Sequence, residues 1–324
     1  MTMLPAIYSE WWANLALDVG VIVLAMALDQ LLPEPPARLH PVVWMGRMIG
    51  GLERLAPWRP AAALAFGALG VALVVTAWGA LAWLAMLGLA ELGVVAYLLG
   101  GATLLRTSFT VRGLLAAGES TRRALESDDI GEARARLQSL VSRDRAGLSA
   151  PLVAASAIES VAENTTDSYI APWLAFAVLG PPLAVAYRAT NTLDSMWGKR
   201  GRYEYLGKCA ARFDDLVNYV PARLSAGLML LSGALIGLPL RQGWRVMRRD
   251  RGTTESPNAG WTMSAMAGLL GRRLEKPHYY DLGAEFPRPE AEDIARGNRV
   301  AKLTAALGVI AALGILAIRH WIAA

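Results

Sequence analysis

The sequence has few of the residues that build covalent cross-links, zinc sites or the common nucleotide-binding loops. It contains one cysteine, Cys209, so an intrachain disulfide is excluded, and we interpret this thiol as a small packing residue. The three histidines do not stand at zinc-ligand spacing. No GxxxxGK[ST] or GxGxxG pattern occurs, which argues against the common phosphate loops.

Charged residues are also scarce. They make up 18% of the chain against 54% hydrophobic residues, and the mean hydropathy is +0.34, which is typical of a helical membrane protein. The net charge is +5, but the basic residues are interleaved with acidic residues in the loops. We therefore expect no nucleic-acid partner. The first apolar segment lacks a basic leader and an A-x-A site, so we expect it to stay as a membrane anchor.

Long apolar stretches predict an all-α, polytopic integral membrane protein, folded as a single domain over 1–324 with roughly four to six membrane segments. The expected segments are 11–28, 61–84, 91–110, 170–187, 224–240 and 303–319. The polar blocks between them are 29–59, 111–169, 188–223 and 241–302.

Local signals refine this prediction. Residues 60–105 carry one charge and are long enough for two helices, so we expect a helical hairpin that turns near 88–93 and continues past Arg106. Residues 42–55 have the pattern of an amphipathic helix at the membrane interface. Ser149 is the expected N-cap of a helix that has Pro151 in its first turn.

The topology is fixed by charge in the first half of the chain only. The positive-inside rule places 29–59 and 106–168 in the cytoplasm and the N-terminus outside. The Gly180-Pro181-Pro182 run interrupts segment 170–187, which is therefore either broken and re-entrant or a crossing helix. If 170–187 and 224–240 both cross, 188–223 lies outside; if both are re-entrant, the polar blocks share one face. We favour the arrangement in which the polar blocks meet.

An acidic block stands out in this apolar chain. Glu159, Glu163 and Asp167 follow an i, i+4, i+8 spacing, which places them on one face of a helix. A solvated face would be expected to carry bases as well, yet none occurs between Arg145 and Arg188. We therefore favour a ligand or Mg²⁺ role over a solvated helix face, because Mg²⁺ takes a few carboxylates and commonly bridges to phosphate.

Further polar blocks follow. Asn191, Asp194 and Ser195 bring amide, carboxylate and hydroxyl groups together, either for a polar substrate or as a helix cap. Asp214 and Asp215 point in different directions on a helix, so at most one joins a given site. Residues 256–261 have the pattern of a turn that leads into a helix. The residues alone predict a membrane protein with an acidic site of Mg²⁺-binding type.

The ordered set of blocks resembles the CbiB/CobD family of cobalamin biosynthesis, over about residues 25–282. The blocks that carry the resemblance are Asp29, Pro35, His40-Pro41 and Gly46; Glu159, Glu163-Asn164, Asp167 and Pro172; Tyr187-Arg188 and Asn191-Thr192-Leu193-Asp194-Ser195; Asp214-Asp215 and Pro221-Ala222-Arg223; and Ser256-Pro257-Asn258-Ala259-Gly260-Trp261. No block is decisive alone, but the ordered set is highly specific.

The resemblance implies an integral membrane adenosylcobinamide-phosphate synthase of the bacterial inner membrane. Such an enzyme joins adenosylcobyric acid to (R)-1-amino-2-propanol O-2-phosphate, or a related amino alcohol, with ATP and Mg²⁺. It leaves open a homo-oligomer and contact with other membrane-bound enzymes of the pathway, besides the membrane lipid itself.

The resemblance also suggests roles for residues. Glu159, Glu163 and Asp167 are the expected Mg²⁺ ligands, and the expected catalytic residues are Glu159, Glu163, Asp194 and Asp214. Groups expected to bind substrate or phosphate are His40, Asn164, Arg188, Asn191, Thr192, Ser195, Arg223 and Asn258, with Arg212 as a further phosphate clamp. The chain departs from the family at Thr262-Met263, where Pro-Glu is usual, and at residues 275–278, which replace a Gly-rich stretch. We interpret these changes as an adjustment of the activity and not as its loss.

Two other classes of protein compete with the synthase. A transporter or channel could use intramembrane carboxylates and a Pro-broken segment, but no inverted repeat is visible. A non-catalytic sensor similar to AmpE would be expected to lose the 191–195 and 257–260 blocks, and this chain keeps both.

Overall fold

The chain is almost entirely helical. The computed structural model describes residues 9–141, 147–199 and 201–323. The helices of the first half are α1 (Trp11–Leu31), α2 (Pro41–Glu53), α3 (Pro60–Glu91), α4 (Val94–Arg106), α5 (Arg112–Glu126), α6 (Ile130–Arg136) and α7 (Ala150–Thr165). Those of the second half are α8 (Ala171–Leu179), α9 (Pro181–Trp197), α10 (Lys208–Val217), α11 (Tyr219–Leu235), α12 (Leu240–Asp250), α13 (Ala259–Leu270) and α14 (Ala291–Ile322).

The remaining regular structure is short. Ala37–Leu39 and Leu137–Ser139 form 3₁₀ turns, and Thr166–Ile170 forms a π-helical turn between α7 and α8. Strands β1 (Leu274–Lys276) and β2 (Tyr280–Leu282) pair antiparallel, with Glu275 opposite Asp281. This hairpin apart, the predicted all-α class is confirmed.

Three helices in the described part of the chain are long and apolar enough to cross a membrane: α1, α3 and α14. Helices α4 and α11 are also apolar but shorter. The predicted hairpin is confirmed, because α3 ends at Glu91 and α4 begins at Val94. The expected continuation past Arg106 is wrong: α4 ends there, and a turn precedes α5. At its end Arg106 Nη2 donates to the carbonyl oxygens of Leu32 and Pro33, at 2.9 and 2.6 Å.

The predicted break in segment 170–187 is confirmed at Gly180. Helix α8 stops at Leu179, and Gly180 has a φ of +78°, a conformation that glycine adopts without the steric cost of a Cβ. Pro181 then occupies the first turn of α9, where its missing N–H is not needed. The broken backbone thus separates an apolar α8 from an α9 that ends in polar residues.

The described residues form two compact units. The first comprises the described residues of Met1–Thr110, Ala171–Val217 and Ile310–Ala324. Its central helix is α9, which α2, α3, α4, α8 and α10 contact, while α1 packs on α4. Its apolar core contains Met45, Ile49, Val74, Leu193 and Trp197.

The second unit comprises Val111–Ile170 and Asn218–Val309. Helix α13 packs on α7, α11 and α12, while α7 also contacts α5 and β1. The core around α13 contains Ile158, Met229, Val246, Met266 and Leu269. Helix α7 begins after Ser149 as predicted, with Pro151 in its first turn, but the Ser149 side chain makes no capping hydrogen bond.

Candidate functional site

Helix α7 presents the acidic block in the second unit. Glu159 and Glu163 both lie in α7, four residues apart, so they share a face as predicted. Glu159 is buried, with 4% of its surface exposed. Tyr280 Oη on β2 donates a hydrogen bond to Glu159 Oε2 at 2.9 Å. The β-hairpin therefore orients the first carboxylate of the block.

Glu163, Asn164 and Asp167 are half-buried. The Asn164 amide nitrogen donates to the Ser160 carbonyl oxygen at 2.9 Å, and Ser168 Oγ donates to Asn164 Oδ1 at 3.3 Å. The residues four positions before and four positions after Asn164 thus hold its amide group. Its role in substrate binding stays a prediction.

Asp167 lies outside the regular α-helix. The π-helical turn Thr166–Ile170 begins between it and Glu163, so the i+8 spacing no longer places Asp167 in the α7 register. A separation of eight residues also spans roughly 12 Å of helix axis. The single stripe of three carboxylates is therefore corrected to a pair on α7 and a third carboxylate in the next, wider turn.

This geometry limits how Mg²⁺ can bind. Within 9–141, 147–199 and 201–323, no three His, Cys, Asp or Glu side chains lie close enough to hold an ion together. Glu159, Glu163 and Asp167 hence do not form a ready three-carboxylate site. The half-buried Glu163 and Asp167 do fit the usual Mg²⁺ arrangement of one or two carboxylates completed by water and substrate phosphate.

A second cluster in the same unit brings together residues from two of the sequence blocks that carry the family resemblance. Arg223 Nη1 on α11 donates to Asn258 Oδ1 at 2.8 Å and to the Tyr219 carbonyl oxygen at 2.7 Å. The Arg223 guanidinium carbon lies 3.4 Å from the Tyr219 ring centre and 4.8 Å from that of Trp261. Stacking and hydrogen bonds fix the guanidinium plane.

Arg223 keeps part of its donor set available. Its Nε and Nη2 groups make no hydrogen bond to any residue that the structure describes, and this edge of a guanidinium binds phosphate or carboxylate in a bidentate manner. Arg251 approaches the same indole, with its guanidinium carbon 4.5 Å from the Trp261 ring centre. The cluster therefore has the chemistry of an anion-binding site.

Of the two departures that the resemblance implies, the one at Thr262-Met263 directly follows Trp261 of this cluster in the chain. Thr262 and Met263 follow Trp261 in α13 and are buried, with 1% and 2% of their surfaces exposed. Glu275 lies on β1 and pairs with Arg273 and Arg288, at 2.8 and 2.7 Å. Thr262 and Met263 are thus core residues of α13, and Glu275 forms ion pairs at the hairpin.

In the first unit, α9 carries the second polar block. Arg188 Nη1 donates to Asn191 Oδ1 at 3.3 Å, so these two predicted site residues contact each other. The hydroxyls of Thr192 and Ser195 donate to the carbonyl oxygens of Arg188 and Asn191, four residues earlier, at 2.7 and 2.9 Å. The two hydroxyls thus bond to the backbone of their own helix.

Asp194 lies at the end of α9 and has a perturbed acidity. Burial, and secondarily the charge of Asp215 on α10, raise the pKa of Asp194 to about 6. Its carboxylate folds over Gly198, where an added Cβ would lie 2.0 Å from Asp194 Oδ1. Of the predicted pair on α10, Asp215 is therefore the residue whose charge reaches Asp194, whereas sequence analysis selected Asp214.

His40 has a structural position. Its Nδ1 accepts the Val42 N–H at 3.2 Å at the start of α2, and its Nε2 lies 3.3 Å from Glu34 Oε2. This hydrogen bond is the main cause of the lowered pKa of Glu34. The imidazole is an N-cap in the first unit, and its predicted contact with substrate stays a prediction.

Four residues of these clusters are absent from the predicted site: Tyr219, Arg251, Trp261 and Tyr280. Tyr280 is 121 residues from Glu159, and no local pattern links them. Trp261 ends one of the blocks that carry the resemblance, but the two arginines that stack on it, Arg223 and Arg251, lie 38 and 10 residues earlier, so no local pattern links them.

The helices and their polar clusters define an all-α membrane protein with buried carboxylates and a stacked arginine outside its three candidate spans. Comparison with known proteins is specific. The family model described as "CobD/Cbib protein" matches residues 22–310. The chain belongs to this family of cobalamin biosynthesis proteins.

Relatives match over nearly their full length. The cobalamin biosynthesis protein CobD of Dehalococcoides mccartyi is 42% identical over 82% of this chain and 87% of the relative. The probable CobD of Methanothermobacter thermautotrophicus is 36% identical, over 92% and 98%. The cobalamin biosynthesis protein CbiB of Salmonella typhi is 36% identical, over 93% and 95%. No solved structure shows significant similarity to the chain.

Proposed function

We propose that the chain is an ATP-dependent acid–amine ligase that joins adenosylcobyric acid to (R)-1-amino-2-propanol O-2-phosphate and yields adenosylcobinamide phosphate. One observation carries the proposal beyond family membership: Arg223 contacts Asn258, so two of the family's blocks form one cluster with a free bidentate edge. A sensor that had lost catalysis would have no need of this anion-binding arrangement.

The reaction brings three anionic groups together: the corrin carboxylate, the triphosphate of ATP and the phosphate of the amino alcohol. The substrate carboxylate takes the terminal phosphoryl group of ATP to give an acyl phosphate and ADP. The amine then displaces phosphate, an amide bond forms, and one proton leaves the nitrogen. Each step needs positive charge on phosphate oxygens and an acceptor for the proton.

The Arg223 guanidinium supplies positive charge in a fixed orientation. Tyr219, Trp261 and Asn258 hold its plane, so its Nε–Nη2 edge can bind a phosphate with little further loss of side-chain freedom. Arg188 on α9 is a second proposed clamp, together with its partner Asn191. Arg212 on α10 stays a proposed clamp as well.

Glu163 and Asp167 are the residues that would hold Mg²⁺, and Glu159 lies one helical turn before Glu163 on α7. When bound, Mg²⁺ would supply charge neutralisation on the transferred phosphoryl group. Glu159 is held by Tyr280 and is buried, so its proposed part is to keep the acidic face in position. Glu163 and Asp167 are only half-buried, which leaves them accessible to a cation and its water ligands.

Asp194 is the proposed proton acceptor, and Asp214 the alternative. A carboxyl group with a pKa of about 6 is ionised at neutral pH and is a stronger base than an ordinary aspartate. Asn164, Thr192, Ser195, Asn258 and His40 are proposed to contribute to substrate binding. We also propose that the protein is a multi-pass protein of the bacterial inner membrane.

A direct assay tests the proposal. Purified protein in detergent is incubated with adenosylcobyric acid, aminopropanol phosphate, Mg²⁺ and ATP, and the corrinoids are separated. An amide product that appears only with ATP supports the ligase. If no product forms while the protein in liposomes moves ions or solutes, a transporter is favoured. If it has neither activity, a non-catalytic sensor is favoured.

A further inference from the structure

Helix α12 has two sharply different faces. Gly243, Val246 and Met247 are buried against α11 and α13. The opposite face is exposed and consists of Arg241, Trp244, Arg245 and Arg248. The spacing of these four residues, i, i+3, i+4 and i+7, places them on one continuous stripe.

The arginines of this face differ from their neighbour Arg249 in their ion pairing. Arg249, on the edge of the helix, is bound by Asp250 and Glu285 at 2.6 and 2.7 Å. Within the described ranges, Arg241, Arg245 and Arg248 form no ion pair and donate no hydrogen bond. Arg245 adds only a minor share to the lowered pKa of Glu285, whose main partner is Arg249.

An exposed apolar strip leads directly into the basic face. Leu231 and Leu235 on α11 are exposed, and Ile236, Leu240 and Trp244 continue the strip into α12. Trp244 has 51% of its surface exposed. Because only four residues separate α11 from α12, the apolar strip and the arginines are neighbours in space as well.

We propose that the exposed face of α12 lies on the membrane surface and binds the phosphate groups of anionic phospholipids. Amphipathic helices with arginines on one side and Trp or Leu beside them insert in this manner, and tryptophan favours the headgroup region. A second copy of the chain fits poorly, because a two-fold contact would oppose arginine stripes of like charge. This inference does not rest on the proposed ligase activity.

The first test measures lipid binding to the full-length protein in detergent. Short-chain phosphatidylglycerol and phosphatidylcholine are titrated against wild type and against the triple variant Arg241→Gln, Arg245→Gln, Arg248→Gln. Wild type is expected to prefer phosphatidylglycerol. The triple variant is expected to bind it on the order of 100-fold more weakly, from the energy typical of three basic residues at an anionic surface.

A matched control removes the same charge elsewhere in the second unit. Arg123, Arg136 and Arg288 are exposed but ion-paired with Glu119, Glu132 and Glu275. Their combined replacement by glutamine is expected to leave phosphatidylglycerol binding within about threefold of wild type, because paired charges do not need the lipid. Equal losses in both triple variants would overturn the proposal, since net charge alone would then explain the binding.

A second measurement does not depend on the arginine variants being folded. Wild type and Trp244→Phe are placed in nanodiscs whose lipids carry bromine on the acyl chains near the headgroup. The fluorescence that Trp244 contributes, taken as the difference between the two proteins, is expected to be quenched. An unquenched difference, or a dimer that dissociates when the three arginines are replaced, would contradict a lipid-facing α12.

Discussion

Tyr280 Oη donates a 2.9 Å hydrogen bond to Glu159 Oε2, which links the β-hairpin to the acidic helix across 121 residues of sequence. Glu159 is buried, so this bond compensates part of the cost of removing a carboxylate from water. Tyr280 directly follows residues 275–279 of this hairpin, and it is the partner of the first residue of the acidic block.

Tyr280→Phe is therefore expected to destabilise the protein. A hydrogen bond to a charged group contributes about 1.5–3 kcal/mol, so the thermal midpoint in detergent should fall by several degrees. Tyr279→Phe is the control, because Tyr279 is 60% exposed and its ring, which Lys276 contacts, is kept. Equal midpoints for the two variants would show that the bond to Glu159 contributes nothing to stability.

Arg223→Lys should weaken phosphate binding while charge is retained. Lysine cannot reproduce the fork of two donors or the stack between Tyr219 and Trp261. The KM for aminopropanol phosphate or for ATP is expected to rise roughly tenfold or more, with a smaller change in kcat. Arg123→Lys, at an exposed and ion-paired arginine, is the control. Unchanged KM values for both substrates would exclude Arg223 as a clamp.

The acidity of Asp194 predicts a pH profile. If Asp194 accepts the proton, product formation should fall as pH drops through about 6, its raised pKa. Asp215→Asn removes the secondary cause of the shift, so the acid limb should move to lower pH while burial keeps it above 3.8. Glu204→Gln, an exposed change in the same unit, should leave the limb in place. An acid limb that lies at the same pH in wild type and in Asp215→Asn would argue against Asp194 as the acceptor.

The same shift has a consequence for stability. The folded-state pKa lies above the unfolded value, so Asp194 favours the folded state least when it is ionised. Its contribution is most favourable below about pH 4 and is lost as pH rises through about 6. Asp194→Asn should then raise the thermal midpoint relative to wild type at pH 8 but not at pH 4. The reverse pattern would show that the carboxylate is stabilised by the fold.

An ion cluster in the first unit joins the interior of α1 to the last turn of α14. Arg319 on α14 donates to Asp18 on α1, and His320 Nε2 lies 2.9 Å from the same Asp18 Oδ2. Tyr97 on α4 donates to Asp18 Oδ1 at 3.4 Å. Asp18 and His320 are buried.

Asp18→Asn should be among the most destabilising single changes. It leaves the largely buried Arg319 charge without its carboxylate, which typically costs about 3–5 kcal/mol. Glu91→Gln, at the exposed end of α3, is the matched carboxylate control. Thermal unfolding in detergent measures both. Equal midpoints would mean that Asp18 and Arg319 separate freely in the folded protein.

The positions of the helices along the chain could be predicted in part. Apolar length located α1, α3 and α14, and the Gly-Pro-Pro run located the break at Gly180, because both signals depend on local sequence alone. The end of α4 and the π-helical turn at Thr166–Ile170 were missed. Residues 105–112 and 163–170 contain no proline or glycine, so the sequence carries no helix breaker that would mark either change.

The candidate site was predictable as a set of residues but not as contacts. Resemblance identified Arg223 and Asn258 without showing that they touch, and it gave no indication of Tyr280. Cross-strand and interhelical contacts depend on packing between distant segments. A single sequence does not encode them in a readable pattern.

The central claim is ATP-dependent amide formation supported by the acidic face of α7, and one comparison tests it most directly. Wild type and Glu163→Gln are purified in detergent, shown to have the same thermal midpoint, and incubated with adenosylcobyric acid, aminopropanol phosphate and Mg-ATP. We expect wild type to accumulate adenosylcobinamide phosphate and Glu163→Gln to form none. Near-normal turnover by Glu163→Gln would contradict the Mg²⁺ assignment, and absence of product from wild type would contradict the ligase itself.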